Sequence, residues 1–125
     1  MKLRLLDDSI RLRLSQSEVA AASEQGLVEG RTRFPDGTVF AFALESDPDS
    51  PGSSASFQGG RLIVRLPAAD VVSWAGDDSA VSLRGELSLP EGGPLELLVE
   101  KDFRCLTPRD GEDQSDMFQN PDESH

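Results

Sequence analysis

From Ser9 to Leu14 the chain reads Ser-Ile-Arg-Leu-Arg-Leu, polar and apolar in strict alternation. Successive side chains of a strand point to opposite faces, so Ile10, Leu12 and Leu14 share one face and Arg11 and Arg13 the other, as in a half-buried strand. Leu62, Val64 and Leu66 repeat that phase. Phe40, Phe42 and Leu44 place large side chains on one face of another strand, with Val39, Ala41 and Ala43 on its back. Val81, Leu83 and Leu87, then Leu95, Leu97 and Val99, predict a closing pair of strands. Two segments break the alternation. Ser15 or Ser17 can cap a helix beginning near Gln16, with Glu18 in its first turn complementing the dipole and Gly26 as its stop. Pro67 suits the first turn of a second helix, whose buried stripe is expected from Val71, Val72, Trp74 and Ala75.

These elements occur twice. At an offset of 52, Ile10, Leu12 and Leu14 fall on Leu62, Val64 and Leu66. At the same offset Leu3 and Leu5 fall on Ala55 and Phe57, Arg13 on Arg65, Glu18 on Asp70, and the turn Asp7-Asp8 on Gly59-Gly60. Farther along, Phe34-Pro35-Asp36-Gly37 falls on Leu89-Pro90-Glu91-Gly92 at an offset of 55, a turn in both places because Pro presets φ and Gly tolerates φ > 0. Shared length, turns and apolar phase mark an internal repeat. The fold class is therefore α+β: two strand–strand–helix–strand–strand repeats, about 1–45 and 54–106, joined by a polar linker at 46–53. Their eight strands are expected to form a pseudo-two-fold antiparallel barrel or a pair of packed sheets, the barrel being attractive because it leaves no free strand edge. Residues 107–125 are polar and acidic and are expected to be a flexible tail that touches the domain, if anywhere, at Phe118.

Composition narrows the function more than it names one. A chain of 125 residues is one domain of ordinary size. Its 12 basic and 23 acidic residues give a net charge of −11, which disfavours nucleic acid, whose binding relies on cations displacing counterions. Cys105 is the only cysteine, so an internal disulfide and a thiolate metal cluster are ruled out. His125 is the only histidine and stands last, which removes Ser-His-Asp and Cys-His catalysis and most zinc sites. No run approaches the length of a membrane helix, and the start MKLRLLDDSIRLRLS has no signal-like apolar core, so a cytoplasmic location is expected. No cofactor and no metal are expected.

Near the C-terminus, Lys101-Asp102-Phe103-Arg104-Cys105-Leu106, then Glu112-Asp113, Asp116, Phe118 and Asn120-Pro121, resemble the closing signature of a family of short uncharacterised bacterial proteins. The opening SIRLRLSQSEV is similar to that family's start, so the resemblance spans nearly the whole chain. The family pattern favours Pro where this chain has Gln119. The resemblance implies no activity, substrate or catalytic residue.

Three constellations could carry chemistry. Lys2 and Arg4, Arg11 and Arg13, and Arg31 and Arg33 are i, i+2 pairs on three predicted strands, expected to share one surface opposite the apolar faces. Arg4, Arg11, Arg13, Arg31 and Arg33 are thus the candidate residues for an anionic group or protein partner, since guanidinium forks suit carboxylate and phosphate. The plainer reading is a solvated sheet face whose cations pair with neighbouring acids. Asp110, Glu112, Asp113 and Asp116 form an acidic cluster whose spacing is not that of a calcium loop. The alternating glutamates of tunnel-shaped triphosphatases are missing from Lys2–Leu6, and Glu96 and Glu100 stand four apart. Neither a Gly-rich phosphate loop nor a GxSxG motif is present. A non-enzymatic binding module is the first reading, and a small enzyme using Arg and carboxylate side chains on a phosphorylated or carboxylated substrate is the alternative.

Overall fold

Each helix starts where the second strand of a hairpin ends, and each then carries the chain from one sheet to another. The computed structural model describes residues 1–102 and Phe118. In chain order the elements are β1 (Lys2–Leu5), β2 (Ser9–Leu14), α1 (Gln16–Glu24), β3 (Leu27–Arg33), β4 (Val39–Asp47), β5 (Ser54–Gln58), β6 (Arg61–Pro67), α2 (Ala68–Gly76), β7 (Ser82–Leu87) and β8 (Leu95–Lys101). Ser15 caps α1, and its N–H donates to Glu18 Oε1 at 2.9 Å, half of a capping box. The other Glu18 oxygen holds the N-terminal ammonium of Met1. Burial acts to raise the Glu18 carboxyl, but that ammonium and the Ser15 donors outweigh it and hold the group below its ordinary range. Gly26, at φ 78°, ends the helix as predicted, its N–H returning to the Ala21 carbonyl at 3.1 Å.

The strands form two four-stranded sheets, β1-β2-β8-β7 and β3-β4-β6-β5, and not a closed barrel. Nor is the pairing wholly antiparallel: β2 runs parallel to β8 and β4 parallel to β6. Both corrections have one cause. Because α1 and α2 cross from sheet to sheet, every sheet combines a hairpin from one half with a hairpin from the other, and the two hairpins meet along strands that run the same way. Among the described residues four edge strands remain, β1, β3, β5 and β7. Three of them carry charge, Lys2 and Arg4 on β1, Glu29, Arg31 and Arg33 on β3, and Arg84 and Glu86 on β7, a common way of keeping an edge from pairing.

The repeat survives in the hydrogen-bonded registers. Leu5 faces Ile10 across one hairpin as Phe57 faces Leu62 across its counterpart. Ile10 lies beside Leu97 as Leu62 lies beside Phe42. Gly30 faces Phe42 as Gly85 faces Leu97. Exchanging the halves turns the strand order of one sheet into that of the other.

One apolar cluster joins the inner faces of both sheets to the helices: Leu12, Leu14 and Val99 from one sheet, Leu44, Val64 and Leu66 from the other, and Val19, Val71 and Trp74 from the helices. The expected stripe of α2 needs one change. Val71, Trp74 and Ala75 face inward at i, i+3 and i+4, whereas Val72, a further 100° round the helix, is 52% exposed. Strand β4 also runs two residues into the segment expected as linker, because Ser46 and Asp47 still pair with Leu66 and Pro67. Phe118 touches the domain: its N–H donates to the Asp102 carbonyl at 2.9 Å, and its ring packs on the core beneath Lys101. The remainder of the expected acidic tail, with Cys105 and the cluster Asp110, Glu112, Asp113 and Asp116, lies outside the described residues.

Candidate functional site

The outer face of the β1-β2-β8-β7 sheet follows from alternation and register. Side chains that oppose Ile10, Leu12, Leu97 and Val99 point to solvent, and the ladders arrange them in rows. Lys2 faces Arg13, which lies beside Glu100, and Glu100 faces Ser82. Arg4 faces Arg11, which lies beside Leu98, and Leu98 faces Arg84. In the next row Ser9 lies beside Glu96, which faces Glu86. Like charges directly opposite one another destabilise a strand pair, so two consecutive cation–cation pairs on β1 and β2 call for a counter-ion.

Glu100 is that counter-ion. The Nε–H groups of Arg11 and Arg13 both donate to its Oε1 at 2.6 Å. Its side chain is only 13% exposed. Burial works to raise the Glu100 carboxyl, and the two guanidinium hydrogen bonds and charges overcome it, leaving the group below the usual carboxylate range. Lys2 turns toward Asp102, Nζ to Oδ2 at 3.0 Å. Arg4 has no carboxylate partner among the described residues, and neither has Arg84. A recess of about 180 Å³ lies among Lys2, Leu3, Arg4, Arg11 and Arg13. A wider cleft of about 470 Å³ runs over Leu98, with Arg11 and Arg84 on its sides and Glu86 and Glu96 at one end.

The structure brings Arg4, Arg11 and Arg13 together and leaves Arg31 and Arg33 elsewhere. The latter two lie on β3, the edge of the other sheet, opposite Ala41 and Val39. The expected six-cation surface is therefore divided, because α1 moves the chain to the second sheet between Arg13 and Arg31. On that second face Arg65 donates to Glu45 Oε2 at 2.8 and 3.0 Å and Arg61 approaches Glu29 at 3.5 Å. Sequence reasoning missed Glu100 and Arg84. A signal for Glu100 was present in the repeat, since Arg13 and Arg65 are 52 apart and Glu45 and Glu100 are 55 apart, the two offsets already found. Among the described residues no group of three His, Cys, Asp or Glu side chains is placed to hold a metal ion. No helix among them is long and apolar enough to cross a membrane.

The chain belongs to a family of unknown function: the model of the Family of unknown function (DUF7009) matches residues 1–122. The match covers both halves and the C-terminal segment whose motifs resemble an uncharacterised family. No curated protein matches the chain, and no solved structure matches it.

Proposed function

We propose that this chain is a non-enzymatic binding module that takes an anionic group of a partner on the outer face of its β1-β2-β8-β7 sheet. The observation that carries the reading is the placing of Arg4 opposite Arg11 and Lys2 opposite Arg13 across one hairpin, where Glu100 is shared by Arg11 and Arg13, Asp102 takes Lys2, and Arg4 has no carboxylate partner among the described residues. Arg4 at the edge retains unused donors, and an incoming carboxylate or phosphate would complete what Glu100 only half neutralises. Arg31 and Arg33 lie outside this site. The reading is favoured over an enzyme because Glu100, the carboxylate at the centre of these cations, is engaged by both Arg11 and Arg13 and held below its ordinary range, where a general acid needs the opposite shift. A reducing, cytoplasmic setting goes with a chain that has one cysteine.

The test uses a fluorescein-labelled oligo-aspartate peptide at low ionic strength, followed by anisotropy. Arg4→Ala should weaken binding roughly 1.5- to 5-fold, the range that ~0.2–1 kcal/mol per exposed ion pair allows. Glu100→Gln should strengthen it, because two guanidinium groups lose their internal counter-ion. Arg31→Ala should leave it unchanged. Equal weakening by Arg4→Ala and Arg31→Ala would show a diffuse charge effect and reject the site.

A further inference from the structure

The two halves converge a second time, where β2 and β6 begin, at the end of the fold away from the helices into which those strands lead. There an apolar mouth of about 330 Å³ is lined by Leu5, Ile10, Phe40, Phe57, Leu62 and Leu95, with Asp7 and Ser9 at its rim. The six apolar residues are three repeat pairs: Leu5 with Phe57 and Ile10 with Leu62 at the offset of 52, and Phe40 with Leu95 at the offset of 55. Ile10 and Leu62 belong to the core and form the floor. Phe40 stacks on Phe57, ring centroids 5.7 Å apart. Leu5 and Phe57, at the ends of the edge strands β1 and β5, are 54% and 59% exposed. Large apolar side chains left open in pairs around a concavity form a surface that a monomer gains nothing by exposing.

The rim breaks the symmetry of the lining. Asp7 and Gly59 occupy the same turn position in the two halves, and both are left-handed, at φ 49° and 59°. Glycine adopts that conformation without steric cost, whereas the Cβ of an aspartate crowds the following carbonyl oxygen there. The first half thus places a carboxylate where the second has no side chain. Asp7 makes no ion pair or side-chain hydrogen bond among the described residues, so its charge at the rim is unmatched.

We propose that this mouth is a binding site for a small amphiphilic amine, with the apolar body against Phe40, Phe57 and Leu62 and the ammonium at Asp7. A volume of about 330 Å³ falls within the range of small-molecule sites, which are mostly apolar with a few placed polar groups. Charge selects the head group. An anionic head would meet Asp7 as a like charge, and a neutral one would leave the carboxylate partly desolvated without a donor. A second copy of the chain is a poorer occupant, since mouth-to-mouth contact would oppose Asp7 and Asp8 of both copies and add two net charges of −11.

The experiment is calorimetric titration of the full chain with n-octylammonium, octan-1-ol and octanoate, and with the corresponding hexyl compounds. One saturable site is expected, with the amine several-fold tighter than the alcohol and the carboxylate weakest. Each methylene from hexyl to octyl should tighten binding about fourfold, the change that ~0.8 kcal/mol per buried CH₂ corresponds to. Asp7→Asn, which keeps a residue tolerant of the left-handed turn, should abolish the preference for the amine and keep the chain-length dependence. Phe57→Ser, on an exposed ring, should remove both while the far-ultraviolet circular dichroism is unchanged. Equal affinity for the three head groups, no dependence on chain length, or affinities unaltered in both variants would overturn the proposal. Self-association by sedimentation that Phe57→Ser abolishes would overturn it too, because the mouth would then be covered by a second copy.

Discussion

Arg13 Nε lies 2.6 Å from Glu100 Oε1, and the two residues are 87 positions apart. Arg65 Nε and Glu45 Oε2 make the corresponding contact at 3.0 Å on the other sheet. Both pairs sit directly side by side in a parallel ladder, β2 with β8 and β6 with β4. A parallel pairing between halves is therefore what puts these charges in reach of each other, and the same relationship is built twice.

Glu100 makes stability depend on pH. Its folded-state pKa is depressed, so the stabilisation is present above the unfolded carboxylate value of about 4.3 and is lost as pH falls through the lower folded value. At pH 7, Glu100→Gln should cost about 1–2 kcal/mol, a charged hydrogen-bond value reduced because both guanidinium groups are partly solvated. Urea unfolding of both proteins at stepped pH should show the gap closing below about pH 4. A gap that stays constant down to pH 2 would mean the carboxylate's charge contributes nothing.

Gly30 is the partner of Phe42 in register and also the space that the ring occupies. A Cβ built at Gly30 would lie 2.5 Å from the ring, whereas one at its repeat counterpart Gly85 would find its nearest neighbour, the Ser53 hydroxyl, at 3.5 Å. Gly30→Ala should therefore destabilise by about 1–3 kcal/mol, the usual cost of overpacking. Gly85→Ala should be close to neutral. Combining Gly30→Ala with Phe42→Leu should recover part of the loss in a double-mutant cycle on thermal midpoints.

Phe118 packs on the domain beside Lys101. Its ring lies 5.5 Å from Lys101 Nζ, which also stands 5.7 Å from the Trp74 ring and donates to the Asp77 carbonyl at 2.9 Å. Phe118→Ala should cost about 1–3 kcal/mol from lost packing and the cation–π contact of a half-buried ring. Phe118→Leu should retain most of the packing. Since Lys101 bridges the two rings, the emission maximum of the sole tryptophan should shift in Phe118→Ala and move less in Phe118→Leu.

The phase of α2 can be checked with one pair of substitutions. Val72→Lys, on the exposed side, should change stability by less than about 0.5 kcal/mol. Val71→Lys, at a position with 0% exposure, buries an unpaired charge and should prevent folding or cost more than about 4 kcal/mol. Comparable losses for the two would place the helix in a different rotation.

Strand and helix content was legible in the sequence because it rests on local phase. Ile10, Leu12 and Leu14 alternate, Ser15 and Gly26 bracket a helix, and the offsets of 52 and 55 announce that the same elements come twice. The candidate site was legible only in part. Arg4, Arg11 and Arg13 share a face because β1 and β2 are joined by a short turn, so their neighbourhood is set by chain connectivity. Arg31 and Arg33 belong to another sheet, and Glu100 and Arg84 belong to this one, because α1 and α2 carry the chain across and the halves pair by exchange. The mouth around Phe57 has the same origin, with residues that alternate correctly in their own strands and meet only at the junction of the halves. Periodicity decides which side of an element is apolar; which other apolar side covers it is decided by the tertiary pairing, where burial rewards contacts between residues far apart in the chain.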